Sequence, residues 1–146
     1  MTLGLNELRD SIHKNSVARG FYDGDNELKD LLRDDKLATD IVTHAKFAER
    51  IALVHSELSE AIEADRHNRW ANLREINLDF RSNMPIGQSS KELFEKEVKN
   101  TVEDELADAL IRILDMCGWL NIDIEKHTEL KMKYNVGREY KHGKSY

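Results

Sequence analysis

The chain has 146 residues, 40% hydrophobic and 34% charged, with a formal net charge of −6; that is enough to bury one core and leaves little room for a second independent one. The acidic balance excludes the broad basic face with which a protein displaces counterions from a nucleic-acid polymer. Cys117 is the single cysteine, so no internal disulfide framework exists, and no apolar run approaches the roughly 20 residues that span a bilayer. Charge enters every turn of residues 1–10, unlike the apolar stretch of a signal peptide, so one cytoplasmic domain over residues 1–146 is expected.

In chain order, Leu5, Leu8, Ile12 and Val17 recur at near-helical spacing and predict a helix over 5–18, stopped by Gly20. Asp23, Gly24, Asp25 and Asn26 read as a turn, and Leu28, Leu31 and Leu32 as one or two helical turns after it. From Thr43 to Arg66, Phe47, Ile51, Val54, Leu58, Ala61 and Ile62 form an amphipathic stripe and predict a long helix. A short helix over 68–81 would contain Trp70, Leu73, Ile76 and Phe80, ending at the turn-rich 82–87 with Pro85, the only proline. Ser89 and Glu92 match a capping box, which predicts a second long helix to about Leu120. Its stripe is Val98, Val102, Leu106, Ala109, Leu110, Ile113, Leu114 and Cys117, with Gly118 marking a close crossing rather than a break. Asp123 can cap a last helix to about Val136. No alternating pattern suggests a strand, so the fold class is an all-α bundle of about four to six helices, its long helices antiparallel.

Two acid pairs stand out, Glu57/Glu60 and Glu105/Asp108, each with carboxylates three residues apart on one helical face. Like charges at this spacing destabilise a bare helix by about 0.2–0.5 kcal/mol. With 28 acidic residues in the chain, any one such pair is most often only a solvated face. Position on the wheel raises these two above that background. At about 100° per residue, taking Glu57 as zero puts Glu60 near 300° and Val54, Phe47, Leu58, Ile51 and Ile62 between roughly 60° and 140°. With Glu105 as zero, Asp108 falls near 300° and the apolar stripe between roughly 40° and 140°. Both pairs are thus expected to border the core with the same hand, so antiparallel packing would bring four carboxylates to one seam. Such a cluster calls for a hard divalent cation, magnesium or manganese, which in turn binds phosphate oxygens. A di-iron bundle would need Glu-x-x-His on two helices, and neither Glu57 nor Glu105 has histidine three residues on.

Near the C-terminus Lys131, Asn135 and Arg138 stand at i, i+4 and i+7, a donor stripe suited to phosphate and a base edge if the helix persists. The bland alternative is that these cations complement the helix dipole. The tail from Tyr140 adds Lys144 as a further cation that would fold over a bound nucleotide. Trp70 is a candidate for stacking on a base, although an aromatic at helical spacing with Leu73 is more often a packing anchor.

The segments "ALVHSELSEAIEA", "VEDELADALIRILD" and "KMKYNVGREYKHGKSY" resemble the MazG-like all-α nucleoside triphosphate pyrophosphohydrolase superfamily, whose metal pattern of Glu-x-x-Glu and Glu-x-x-Asp reads here Glu57-Leu-Ser-Glu60 and Glu105-Leu-Ala-Asp108. The likeness spans residues 44–146. It implies a homodimer or homotetramer that cleaves a (d)NTP with magnesium to the monophosphate and pyrophosphate. By the resemblance Glu57, Glu60, Glu105 and Asp108 are metal ligands, with Glu57 and Glu60 the catalytic acids. Lys131 and Arg138 then contact phosphate, and Asn135 contacts base or sugar. Ser56 stands where many members carry another glutamate, with Asp104 or Glu63 as substitutes, and the 61–104 stretch is longer than in compact members. Two other readings accompany this one: a non-catalytic helical dimer that binds a nucleotide or protein, and the same chemistry on dUTP/dUDP, phosphoribosyl-ATP or an alarmone.

Overall fold

A computed structural model describes residues 4–73 and 87–138, without the side chains of Gln88 and Ser89. Among these residues the regular structure is helical throughout: α1 (Leu5–Ala18), α2 (Asp23–Leu31), α3 (Lys36–Arg66), α4 (Gln88–Glu97), α5 (Val102–Trp119) and α6 (Ile124–Val136). The expected all-α class is therefore met, and no described helix is long and apolar enough to cross a membrane. Pro85, the rest of the turn through residue 86, Ile76, Phe80 and Lys144 lie outside the described residues.

Strong local signals ended α1 and began α6 where the sequence put them. Gly20 adopts φ +81°, a left-handed conformation natural to glycine, immediately after α1. The Asp123 carboxylate accepts the Lys126 amide at 3.1 Å and opens α6. Elsewhere the expected boundaries need correction. Asp23 to Asn26 form the first turn of α2 rather than a separate turn, because Asp23 and Asp25 favour the positive end of a helix dipole. α3 starts at Lys36, seven residues before Thr43, because the Asp35 carboxylate accepts the Ala38 amide at 3.0 Å and supplies the missing cap.

The second long helix is in fact two, and α4 starts behind Gly87 rather than at a Ser89 cap. Asn100 takes φ +59° between α4 and α5, a conformation asparagine tolerates better than most residues. The Thr101 hydroxyl then accepts the Asp104 amide at 3.4 Å, while the Asp104 carboxylate accepts the Asn100 amide at 2.9 Å, so the two residues cap the new helix reciprocally. The short helix expected from residue 68 does not begin there. Asn68 ends α3 at φ +52°, and residues 68–72 are extended or turn-like. Their backbone bonds go instead to the α4–α5 region: the Arg69 carbonyl accepts the Val102 amide at 3.1 Å, and the Asn72 amide donates to the Glu97 carbonyl at 3.0 Å.

The chain divides into two compact units, one of Met1–Thr39 with Leu114–Tyr146 and one of Asp40–Ile113. In the first, α1 lies along α6, and their starts are pinned together by Asn6. Its backbone amide donates to Glu125 at 3.0 Å and its side-chain amide donates to Asp123 at 2.8 Å. Gly118 is the close crossing that the sequence suggested: a Cβ there would stand 2.5 Å from His13 Cβ, inside any tolerable contact. His13 Nδ1 also meets Asp115 at 2.8 Å. Tyr22, Leu114, Met116 and Cys117 are the buried apolar residues of this unit. Among the described residues of the second unit, Val54, Ala61, Ala64, Val98, Val102 and Ala109 are the buried apolar ones.

Candidate metal centre

Glu57 and Glu60 are one turn apart on α3, and Glu105 lies in the first turn of α5. One carboxylate oxygen from each of the three lies within 4.8 Å of the others. Glu57 and Glu105 are 7% and 5% exposed, whereas Glu60 faces solvent. Asp108, the fourth expected ligand, stands outside this trio with an exposed side chain.

The wheel placed the acids beside the core; the structure puts Glu57 in the middle of it. The buried residues of α3 are Val54, Glu57, Ala61 and Ala64. The rest of the expected stripe is open: Leu58 is 40% exposed and Ile62 57%, and on α5 Leu106 is 49% and Leu110 48%. The buried neighbours on these faces include the small residues Ala61, Ala64 and Ala109.

Burial first, then the charges of Glu60, Asp104, Glu57 and Asp108, push the Glu105 carboxyl above the ordinary glutamate range. Asp108 is raised too, first by lost hydration and then by Asp104 and Glu57, with Arg112 opposing. Arg112 is the residue that sequence reasoning missed. Its Nε donates to Glu57 Oε1 at 2.6 Å, so the buried carboxylate has a forked cation as partner. The signal was available, since Arg112 lies four residues after Asp108 and seven after Glu105, on the same helical face.

Three carboxylates from two helices, without histidine or cysteine, form an all-oxygen donor set that fits magnesium or manganese and does not fit zinc. Glu63 and Asp104, the two acids expected to stand in for a carboxylate at Ser56, have other partners. Glu63 pairs with Arg66 at 3.2 Å and His67 at 2.9 Å, and Asp104 caps α5. The Ser56 hydroxyl itself donates to Glu60 Oε1 at 3.3 Å, which orients that carboxylate.

Trp70 is an exposed residue of the extended stretch, not a helical packing anchor. Its neighbours tie it beside the start of α5, through the Arg69 carbonyl and through the Ala71 amide, which donates to Glu103 at 2.9 Å. On α6, Lys131 and Asn135 are exposed, and the helix ends at Val136, so Arg138 follows the helix rather than continuing its face. Lys131 Nζ and Arg138 Cζ nevertheless approach the same ring, 5.0 and 5.8 Å from the centroid of Tyr134.

Comparison with protein-family models, with curated proteins and with solved structures returns no match for this chain.

Proposed function

We propose that this chain is a magnesium-dependent nucleoside triphosphate pyrophosphohydrolase of the MazG-like kind, converting a (d)NTP and water to the (d)NMP and pyrophosphate, in the manner of a nucleotide-pool house-cleaning enzyme. The observation that carries the reading is the convergence of Glu57, Glu60 and Glu105 from two helices within 4.8 Å. The pairings along those helices support the antiparallel arrangement: Glu57 meets Arg112, whereas Arg69, twelve residues later, meets Val102, ten residues earlier.

Glu57, Glu60 and Glu105 would hold the ion, with Asp108 joining when the ligand enters. Magnesium, or manganese, supplies charge neutralisation at the phosphates and a bound water of lowered pKa. Of the two candidate catalytic acids, Glu60 is favoured as the base. It faces solvent and is oriented by Ser56, whereas Glu57 is buried against Arg112. By the family resemblance Lys131 and Arg138 bind phosphate and Asn135 binds base or sugar, Lys144 is a further cation of the tail, and the exposed Trp70 offers a stacking face. The same resemblance implies a homodimer or homotetramer.

The test is a panel of (d)NTPs with magnesium and mass analysis of the products. Monophosphate and pyrophosphate are expected from at least one substrate, with kcat reduced about 100-fold or more in Glu57→Ala and Asp108→Ala. Orthophosphate as the primary product, or full activity in Glu57→Ala, would overturn the assignment.

A further inference from the structure

Among the described residues Arg112 makes the side-chain hydrogen bond to Glu57, a buried carboxylate on the helix face of Val54, Ala61 and Ala64. Among the described residues no other lysine or arginine makes an ion pair with Glu57, Glu60, Glu105 or Asp108. An uncompensated buried carboxylate is costly, and in the folded chain the Arg112 guanidinium supplies the compensating charge beside Glu57. A divalent ion that takes Glu57 as a ligand competes with the guanidinium on Oε1 for the charge of the same carboxylate, and it repels the guanidinium. The two cations therefore disfavour each other at one carboxylate. Arg112 is also partly open to solvent, and it stands on the α5 face that carries Glu105 and Asp108. Released from Glu57, it would keep its five donors beside the acid cluster, and a phosphate drawn there by a metal ion would offer them charged acceptors.

We propose that Arg112 is an exchangeable counter-ion: it neutralises Glu57 in the metal-free protein, is displaced by the divalent cation, and then binds the phosphate chain that the cation recruits. This rests on the metal-dependent reading above and deepens it, making Arg112 a positioning residue in the free protein and a phosphate contact in the loaded one. The exchange links the two binding events, because a phosphate contact becomes available only once the ion has entered.

The consequence is a pair of effects of opposite sign, which loss of packing alone would not produce. Mn2+ affinity is measured by titration calorimetry and by the paramagnetic resonance of free Mn2+, and affinity for inorganic tripolyphosphate is then measured at saturating Mn2+. Arg112→Met should bind Mn2+ about three- to tenfold more tightly than the parent, since no resident cation competes. It should bind tripolyphosphate about three- to tenfold more weakly, since a charge-assisted contact is gone. Arg112→Lys, which keeps the charge and loses the fork, should keep Mn2+ affinity within about twofold of the parent and still weaken tripolyphosphate. Circular dichroism and melting of each variant establish that it is folded. Equal Mn2+ affinity in parent and Arg112→Met would overturn the exchange while leaving the metal reading intact, and so would a weaker one. Tighter Mn2+ with unchanged tripolyphosphate binding would overturn the proposed phosphate contact, and therefore the proposal as stated. If neither protein binds Mn2+, the metal reading itself falls and the exchange falls with it.

Discussion

Glu105 shows how a buried carboxylate is held against its own preference. Burial and four neighbouring acids raise its pKa, so the folded chain keeps a proton that the unfolded chain would give up. As pH rises from the ordinary glutamate range through that raised value, the native state loses this proton and its contribution turns against folding. Asp108 acts in the same direction. Melting in EDTA should therefore decline across this window, and added magnesium should flatten the decline by neutralising the cluster. Glu105→Gln removes the charge and keeps the shape. It should raise the metal-free melting temperature by about 3–5 °C while abolishing metal binding; a lower melting temperature would show that Glu105 is satisfied as it stands. The acid pairs themselves were legible in the sequence because i,i+3 spacing is a covalent fact. The burial of Glu57 and the role of Arg112 were not, since both depend on which flank of each helix is covered.

At the scale of elements, legibility followed how local the signal was. α1 and α6 came out with their expected bounds because Gly20 and Asp123 act within a few residues of themselves. The start of α3 was misplaced because its cap, Asp35, precedes the apolar stripe by more than two turns and hydrophobic periodicity takes no account of it. The break between α4 and α5 escaped notice because asparagine can stand in a helix or leave it, and only the Thr101 and Asp104 caps decide for Asn100. Gly118 was read correctly because α5 continues through it while α1 crosses over it. Gly118→Ala should consequently cost about 1–3 kcal/mol, lowering the melting temperature by roughly 3–10 °C, even though alanine is the better helix former. A neutral or stabilising effect in thermal denaturation would mean that His13 can give way.

For the molecule as a whole, the informative surface is the apolar flank beside the acids. Leu58 and Ile62 follow Glu57 by one and five residues, and Leu106 and Leu110 follow Glu105 by the same steps, so the two helices leave matching rows of large side chains in water. The hydrophobic stripe was read from the sequence as a core, and it is a core for only part of its width. Periodicity records which residues leave water without saying whether the same chain or another copy covers them. We propose that these rows are covered by a second copy of the chain, which would remove the exposed Leu58, Ile62, Leu106 and Leu110 from water. Light scattering at micromolar concentration should give the mass of a dimer or tetramer. The double substitution Ile62→Glu with Leu110→Glu places like charges in the covered rows and should shift the mass to that of one chain, with helicity retained by circular dichroism. A parent protein that scatters as a monomer at that concentration would refute the association. A mass unchanged by the two glutamates would move the interface to another face.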